Sequence, residues 1–61
     1  MGKVFAGARI HTLRKTRGLT QAAMARQLDL STSYLNQLEN DQRPLTVPVL
    51  MQLTRRFNVE P

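Results

Sequence analysis

The stretch that most constrains this chain runs from Gln21 to Asn40, where two apolar-striped segments stand only about three or four residues apart. In the first, Ala23, Met24 and Leu28 share a helical stripe, while Gln21, Arg26 and Gln27 take outward positions. In the second, Tyr34, Leu35 and Leu38 repeat the pattern toward about Asn40. A connector as short as Asp29-Leu30-Ser31 forces two such helices to pack at a steep angle. Close approach needs a small residue on the first helix, and Ala25 stands four residues before the turn. The turn tends to left-handed backbone, where glycine is common. Asp29 occupies it here, and Asp enters that region more readily than most side chains.

The flanking segments read the same way. Ala6, Ile10 and Leu13 recur at helical spacing and predict a first helix from about Ala6 to Arg17. Gly18 stops it, with Lys15 and Arg17 in a last turn where cations suit the helix dipole. Thr20 is a candidate N-cap for the second helix, and one of Ser31, Thr32 and Ser33 caps the third. Pro44 keeps Arg43 out of helix, so 40–44 forms a turn. Thr46 caps a fourth helix with Pro48 in its first turn, and Leu50, Leu53 and Phe57 form its buried stripe. No strand pattern occurs. The expected fold is all-α, in a single domain over residues 1–61. At this size only ~60% of the unfolded surface is buried, so stability is marginal.

Composition removes several classes of function. The chain has no cysteine, which excludes a disulfide framework and a zinc finger. No apolar run approaches the ~20 residues needed to span a bilayer. The opening Met1-Gly2-Lys3-Val4-Phe5 leads into a polar helix with no signal-peptide pattern, so a cytoplasmic protein is expected. Nine Lys and Arg against four Asp and Glu give a net charge of +5, favouring a polyanionic partner, nucleic acid ahead of an anionic membrane. His11 is the only histidine and has no partner at ligand spacing, so it reads as a surface residue. Asp29, Glu39, Asp41 and Glu60 are scattered among a turn, a helix end and the terminus, and form no acid–base pair. The chain reads as a non-enzyme with no catalytic residue, metal or cofactor.

Function is concentrated on the outward face of the third helix. At about 100° per residue, Thr32, Ser33, Asn36, Gln37 and Asn40 fall on one arc of about 140°, opposite Tyr34, Leu35 and Leu38. That face is short, uncharged and dense in donors and acceptors. Amides can bind adenine edges bidentately, and hydroxyls can reach bases, phosphates or a thymine methyl. A merely solvated helix more often carries Lys and Glu there. Lys15, Arg17, Arg55 and Arg56 serve either as solubilising charge or as phosphate contacts, Arg17 being best placed, just before the second helix. Tyr34 reads as a half-buried packing residue.

Several residues together resemble the lambda-repressor-like (Cro/CI, XRE-type) helix-turn-helix family: Ile10, Leu13-Arg14, Gly18-Leu19-Thr20-Gln21, Met24-Ala25, Leu28, Tyr34-Leu35-Asn36-Gln37-Leu38-Glu39 and the Arg43-Pro44 turn. The run 33–40 with Arg43-Pro44-Leu45-Thr46 also resembles a narrower branch, bacterial regulators of acetate, propionate or other short-chain fatty-acid metabolism. The resemblance implies four helices, or five, with the helix-turn-helix in the second and third. It gives Gln21 a DNA phosphate at the positive end of the second helix. It turns Thr32, Ser33 and Gln37 toward bases, joined by Asn36, and sets Asn40 and Arg43 on the backbone. It pairs Arg14 with Glu39 as an internal ion pair. The implied partner is double-stranded DNA, bound as a homodimer on half-sites about 34 Å apart. The 61 residues would then be part of a longer regulator and, taken alone, monomeric or weakly dimeric, with any acyl-type effector bound outside them.

Three other readings compete. The same fold serves as a protein-interaction module, an antitoxin or adaptor, although no exposed apolar patch is expected here. A membrane binder would need an amphipathic segment left over from the core. An RNA binder would need more aromatics than Phe5, Tyr34 and Phe57.

Overall fold

The computed structural model describes residues 3–58, which form four helices: α1 (Gly7–Thr16), α2 (Gln21–Gln27), α3 (Thr32–Glu39) and α4 (Val47–Phe57). Hydroxyls start three of them. Thr20 Oγ1 accepts from the Ala23 amide at 3.1 Å, Ser31 Oγ from Tyr34 at 3.0 Å and Thr46 Oγ1 from Val49 at 3.4 Å. Each bond satisfies one of the first-turn amides that lack an intrahelical partner. α1 has no such local cap, and it is one residue shorter at each end than the expected span, with Ala6 and Arg17 flanking it. Its first amide, on Gly7, instead donates to Asp41 Oδ1 at 3.0 Å, a cap supplied from across the fold.

The first three helices end alike, each with a left-handed residue that folds the chain back on its last carbonyls. After α1 that residue is Gly18 (φ +67°), with Gly18 N–H on Lys15 O and Leu19 N–H on Arg14 O. After α2 it is Asp29 (φ +58°), with its amide on Arg26 O and Leu30 N–H on Ala25 O. After α3 it is Asp41 (φ +58°), with its amide on Leu38 O and Gln42 N–H on Gln37 O. The two aspartates tolerate a backbone that most side chains avoid.

α3 packs against both α1 and α2. The core comprises Ile10 of α1, Met24 and Ala25 of α2 with Leu28 beyond its end, Leu35 and Leu38 of α3, and Val49, Leu53 and Phe57 of α4. Two details differ from the expected stripes. Val49 takes the core position expected for Leu50, because the buried line on α4 runs at strict four-residue steps and turns Leu50 onto its flank. On α2, Ala23 is only half-buried, whereas Ala25 is buried, as expected for the close approach of α3. Gly7 has a steric role: a Cβ there would collide with the Glu39 carbonyl and the Asp41 carboxylate, so α1 seats against the end of α3 only without a side chain.

The surface is less uniformly polar than expected. Val4, Phe5, Val47 and Met51 are exposed, the last two at 69% and 53%. Leu45 N–H donates to Val4 O at 2.6 Å and ties the N-terminal segment beside α4. Val4, Phe5, Leu13, Leu45 and Leu50 line a shallow groove of about 690 Å³. Among the described residues no helix is long and apolar enough to cross a membrane, and no three metal-ligating side chains gather. Glu60 and any fifth helix lie outside the described residues.

Candidate nucleic-acid interface

Beneath the exposed face of α3 lies a charged cluster joining three helices. Arg14 of α1 is a buried charged residue, and it approaches Glu39 of α3 in a two-pronged pair, Nε to Oε2 at 2.8 Å and Nη2 to Oε1 at 3.1 Å. Its remaining nitrogen, Nη1, donates to Leu19 O at 3.0 Å, closing the turn after α1. Two parallel N–H···O bonds to a carboxylate are the strong form of such a pair. His11, one turn before Arg14, brings Nδ1 to 3.0 Å from Glu39 Oε1. A carboxylate only accepts, so Nδ1 carries the hydrogen, and Arg14 Nη2 at 3.4 Å from that nitrogen is a neighbour rather than a donor to it.

Burial of the Glu39 carboxyl pushes its pKa up. Hydrogen bonds from Arg14, His11 and Gln21, with the charge of Arg14, outweigh that and hold it below the usual carboxylate value. The Glu39 hydrogen bond in turn raises Arg14 above its ordinary value, against desolvation. Both groups are therefore charged at neutral pH. Through Gln21 the cluster also reaches the first residue of α2.

The exposed layer is built on that base. Gln21 Oε1 accepts from Asn36 Nδ2 at 3.3 Å, linking the start of α2 to the middle of α3. Asn40 Nδ2 donates to the Asn36 carbonyl at 3.0 Å and to its Oδ1 at 3.2 Å. Arg43, in the following turn, donates from Nε to Gln37 Oε1 at 3.1 Å. Ser31 is engaged as the α3 cap, and Thr32 and Ser33 stand exposed on the first turn. Gln21, Asn36 and Asn40 thus form one linked amide set, and Gln37 pairs separately with Arg43. Arg17 lies apart from both. Its Nη2 donates to Phe57 O at 2.8 Å and its guanidinium sits 5.3 Å over the Phe57 ring, at the end of α4 where carbonyls lack partners.

Three residues in this arrangement carry roles that the sequence reading did not give them. His11 is half exposed, yet it contributes to the Glu39 cluster. Its signal was available, since it stands three residues before Arg14 on the same helical face. Asp41 and Gly7 meet across 34 positions, and no local pattern announces that pair.

Comparison with known proteins agrees with this geometry. A helix-turn-helix family model matches residues 10–61. The chain is 67% identical over 57 residues to the HTH-type transcriptional regulator PrpR of Mycobacterium tuberculosis (strain ATCC 25618 / H37Rv), covering 93% of this chain and 12% of that protein. It is 52% identical over 60 residues to the HTH-type transcriptional regulator RamB of Mycobacterium tuberculosis (strain CDC 1551 / Oshkosh), covering 98% of this chain and 13% of that protein. It is 43% identical over 58 residues to a propionyl-CoA carboxylase regulator of Cereibacter sphaeroides, covering 95% and 13%. The chain therefore spans about an eighth of the length of these relatives. No solved structure matches it. Four helices without a strand among the described residues, a short turn between α2 and α3, and these matches lead to one conclusion: the chain belongs to the helix-turn-helix family and is an all-α, lambda-repressor-like DNA-binding regulatory domain rather than an enzyme.

Proposed function

We propose that this domain recognises specific duplex sequences by seating α3 in the major groove. Thr32, Ser33 and Gln37 face base edges, with Asn36 at the margin because part of its amide is engaged with Gln21 and Asn40. Gln21, at the amino end of α2, and Asn40 and Arg43, after α3, hold phosphates and fix the register. Arg17 contributes charge to the same backbone through the donors not engaged with Phe57. Arg14 and Glu39 make no contact with DNA; they fix the angle between the helices that do. The observation that carries this reading is the uncharged amide and hydroxyl face of α3, bonded directly to α2 through Gln21 and Asn36.

The domain acts within a longer bacterial regulator that binds as a homodimer on paired half-sites, and its own 61 residues are monomeric or weakly dimeric. The name of one relative, a propionyl-CoA carboxylase regulator, supports a regulon in propionyl or related short-chain acyl metabolism, with any acyl-type effector bound outside this segment.

Base-methylation interference tests the groove. Methylation at guanine N7, which lines the major groove, is expected to block binding within the site, while a minor-groove ligand leaves binding intact. Indifference to N7 methylation, with competition from the minor-groove ligand, would reverse the assignment.

A protein-interaction role has one observation in its favour, the groove beside the exposed Val4 and Phe5. It involves elements other than the outward face of α3 and does not compete with DNA for that face.

A further inference from the structure

We propose that Arg43 is a positioning residue for base reading, acting through Gln37, in addition to any phosphate it holds. The inference rests on the major-groove reading above and assigns a specificity role within it. A glutamine amide on an exposed helix has two orientations of similar energy, exchanging its oxygen and its NH2. Each presents a different pattern to a base edge, so an unrestrained glutamine discriminates poorly. Arginine has only donors. The Arg43 Nε–H at 3.1 Å from Gln37 Oε1 is therefore compatible with one orientation alone: oxygen toward Arg43, NH2 away from it.

The backbone holds this contact in place. Asp41 adopts φ +58° and turns the chain back, so that Gln42 N–H bonds the Gln37 carbonyl at 2.8 Å. The residue after Gln42 is thereby carried over the Gln37 side chain, and Pro44 keeps it out of helix. Gln37 is thus held at both its main-chain and side-chain oxygens by consecutive residues of one turn. The NH2 group remains to donate to a base acceptor, and the second lone pair of Oε1 can still accept.

The test is a double-mutant cycle on sequence preference, measured with the complete protein on its best site and on versions altered at each base pair in turn. Arg43→Ala is expected to lower discrimination at the base pair read by Gln37 and leave the other positions unchanged. The loss cannot exceed the ~5- to 150-fold that a well-made amide–base pair provides, and about 5-fold is expected. In a Gln37→Ala background, Arg43→Ala is expected to change that discrimination no further, while overall affinity still falls. Arg43→Lys keeps the charge but not the planar donor, and is expected to retain affinity while losing the preference. Equal weakening of every site by Arg43→Ala would overturn the inference and leave the major-groove reading standing. Absence of any sequence preference in the unaltered protein would overturn both.

Discussion

Replacing Glu39 by glutamine is the sharpest test of what holds the interface together. The change is nearly isosteric and removes one charge. In the folded domain the Glu39 side chain is 3% exposed and that of Arg14 is 10% exposed, so water does not take over the lost contact. The carboxylate accepts from Arg14 Nε and Nη2 and from His11 Nδ1, at 2.8, 3.1 and 3.0 Å. A glutamine offers one oxygen in place of two and turns an NH2 toward donors. Breaking a buried pair by removing one partner costs about 3–5 kcal/mol. Arg14 keeps its bond to Leu19 O, which favours the lower end, about 3 kcal/mol. A domain of this length has a total stability of about 3–9 kcal/mol, so the loss is a third or more of it. In thermal unfolding this corresponds to a fall of about 12–24 °C. Urea titration followed by circular dichroism measures the same quantity. Pairing Glu39→Gln with Arg14→Met should recover much of the loss, since no unpaired charge remains buried. A loss under about 1 kcal/mol would mean that the pair behaves as an exposed one, and the argument from burial would fail.

The same group sets an acid dependence. Its folded pKa lies below the unfolded value of 4.5, so its contribution is complete above about pH 4.5 and is lost as pH falls through the folded value. Unfolding curves across pH 3–6 should show this decline, and Glu39→Gln should flatten it. Asp29→Gly and Asp41→Gly, both at φ +58°, should diverge. The first relieves a left-handed side chain and stabilises by about 0.5 kcal/mol. The second also removes the cap on Gly7 N–H and destabilises by about 1 kcal/mol, so a gain in both would refute the tertiary cap. Gly7→Ala should destabilise by about 2 kcal/mol or more, because backbone and carboxylate must both move, and an unchanged melting temperature would contradict the close contact. Gln37→Ala should cost about 1–3 kcal/mol on the preferred site and little on others, whereas Gln21→Ala should weaken all duplexes alike; competition binding on matched and mismatched sites separates them.

Local signals carried the architecture a long way. Thr20, Ser31 and Thr46 each cap the helix that follows, as their side-chain oxygens suggest, and Gly18 and Asp29 both adopt the left-handed backbone that ends a helix. The outward amides and hydroxyls of α3 were legible because a period of 3.6 sorts them from Leu35 and Leu38. Spacing alone failed where it was ambiguous. Both Val49 and Leu50 stand at helical steps from Leu53 and Phe57, and only the packing of α4 against its neighbours selects Val49. Long-range polar partners were not legible either. Asp41 reads as a turn residue and Gly7 as an unremarkable start, until the fold brings α1 onto the end of α3. Arg17 reads as a phosphate contact because it precedes α2, while its bond to Phe57 O depends on where a helix 40 residues later ends. Internal partners of this kind account for a surface cation without reference to a ligand.

The central claim, sequence-specific recognition by the face of α3, is tested most directly by selecting binding sites from randomised duplex DNA and following the selected affinities across a salt series. A defined motif is expected, with half-sites repeated as an inverted pair about 34 Å apart when the complete regulator is used. Affinity should fall with salt on all DNA, while the preference for the motif persists. Salt-sensitive binding that enriches no motif would contradict the claim and leave only a basic surface.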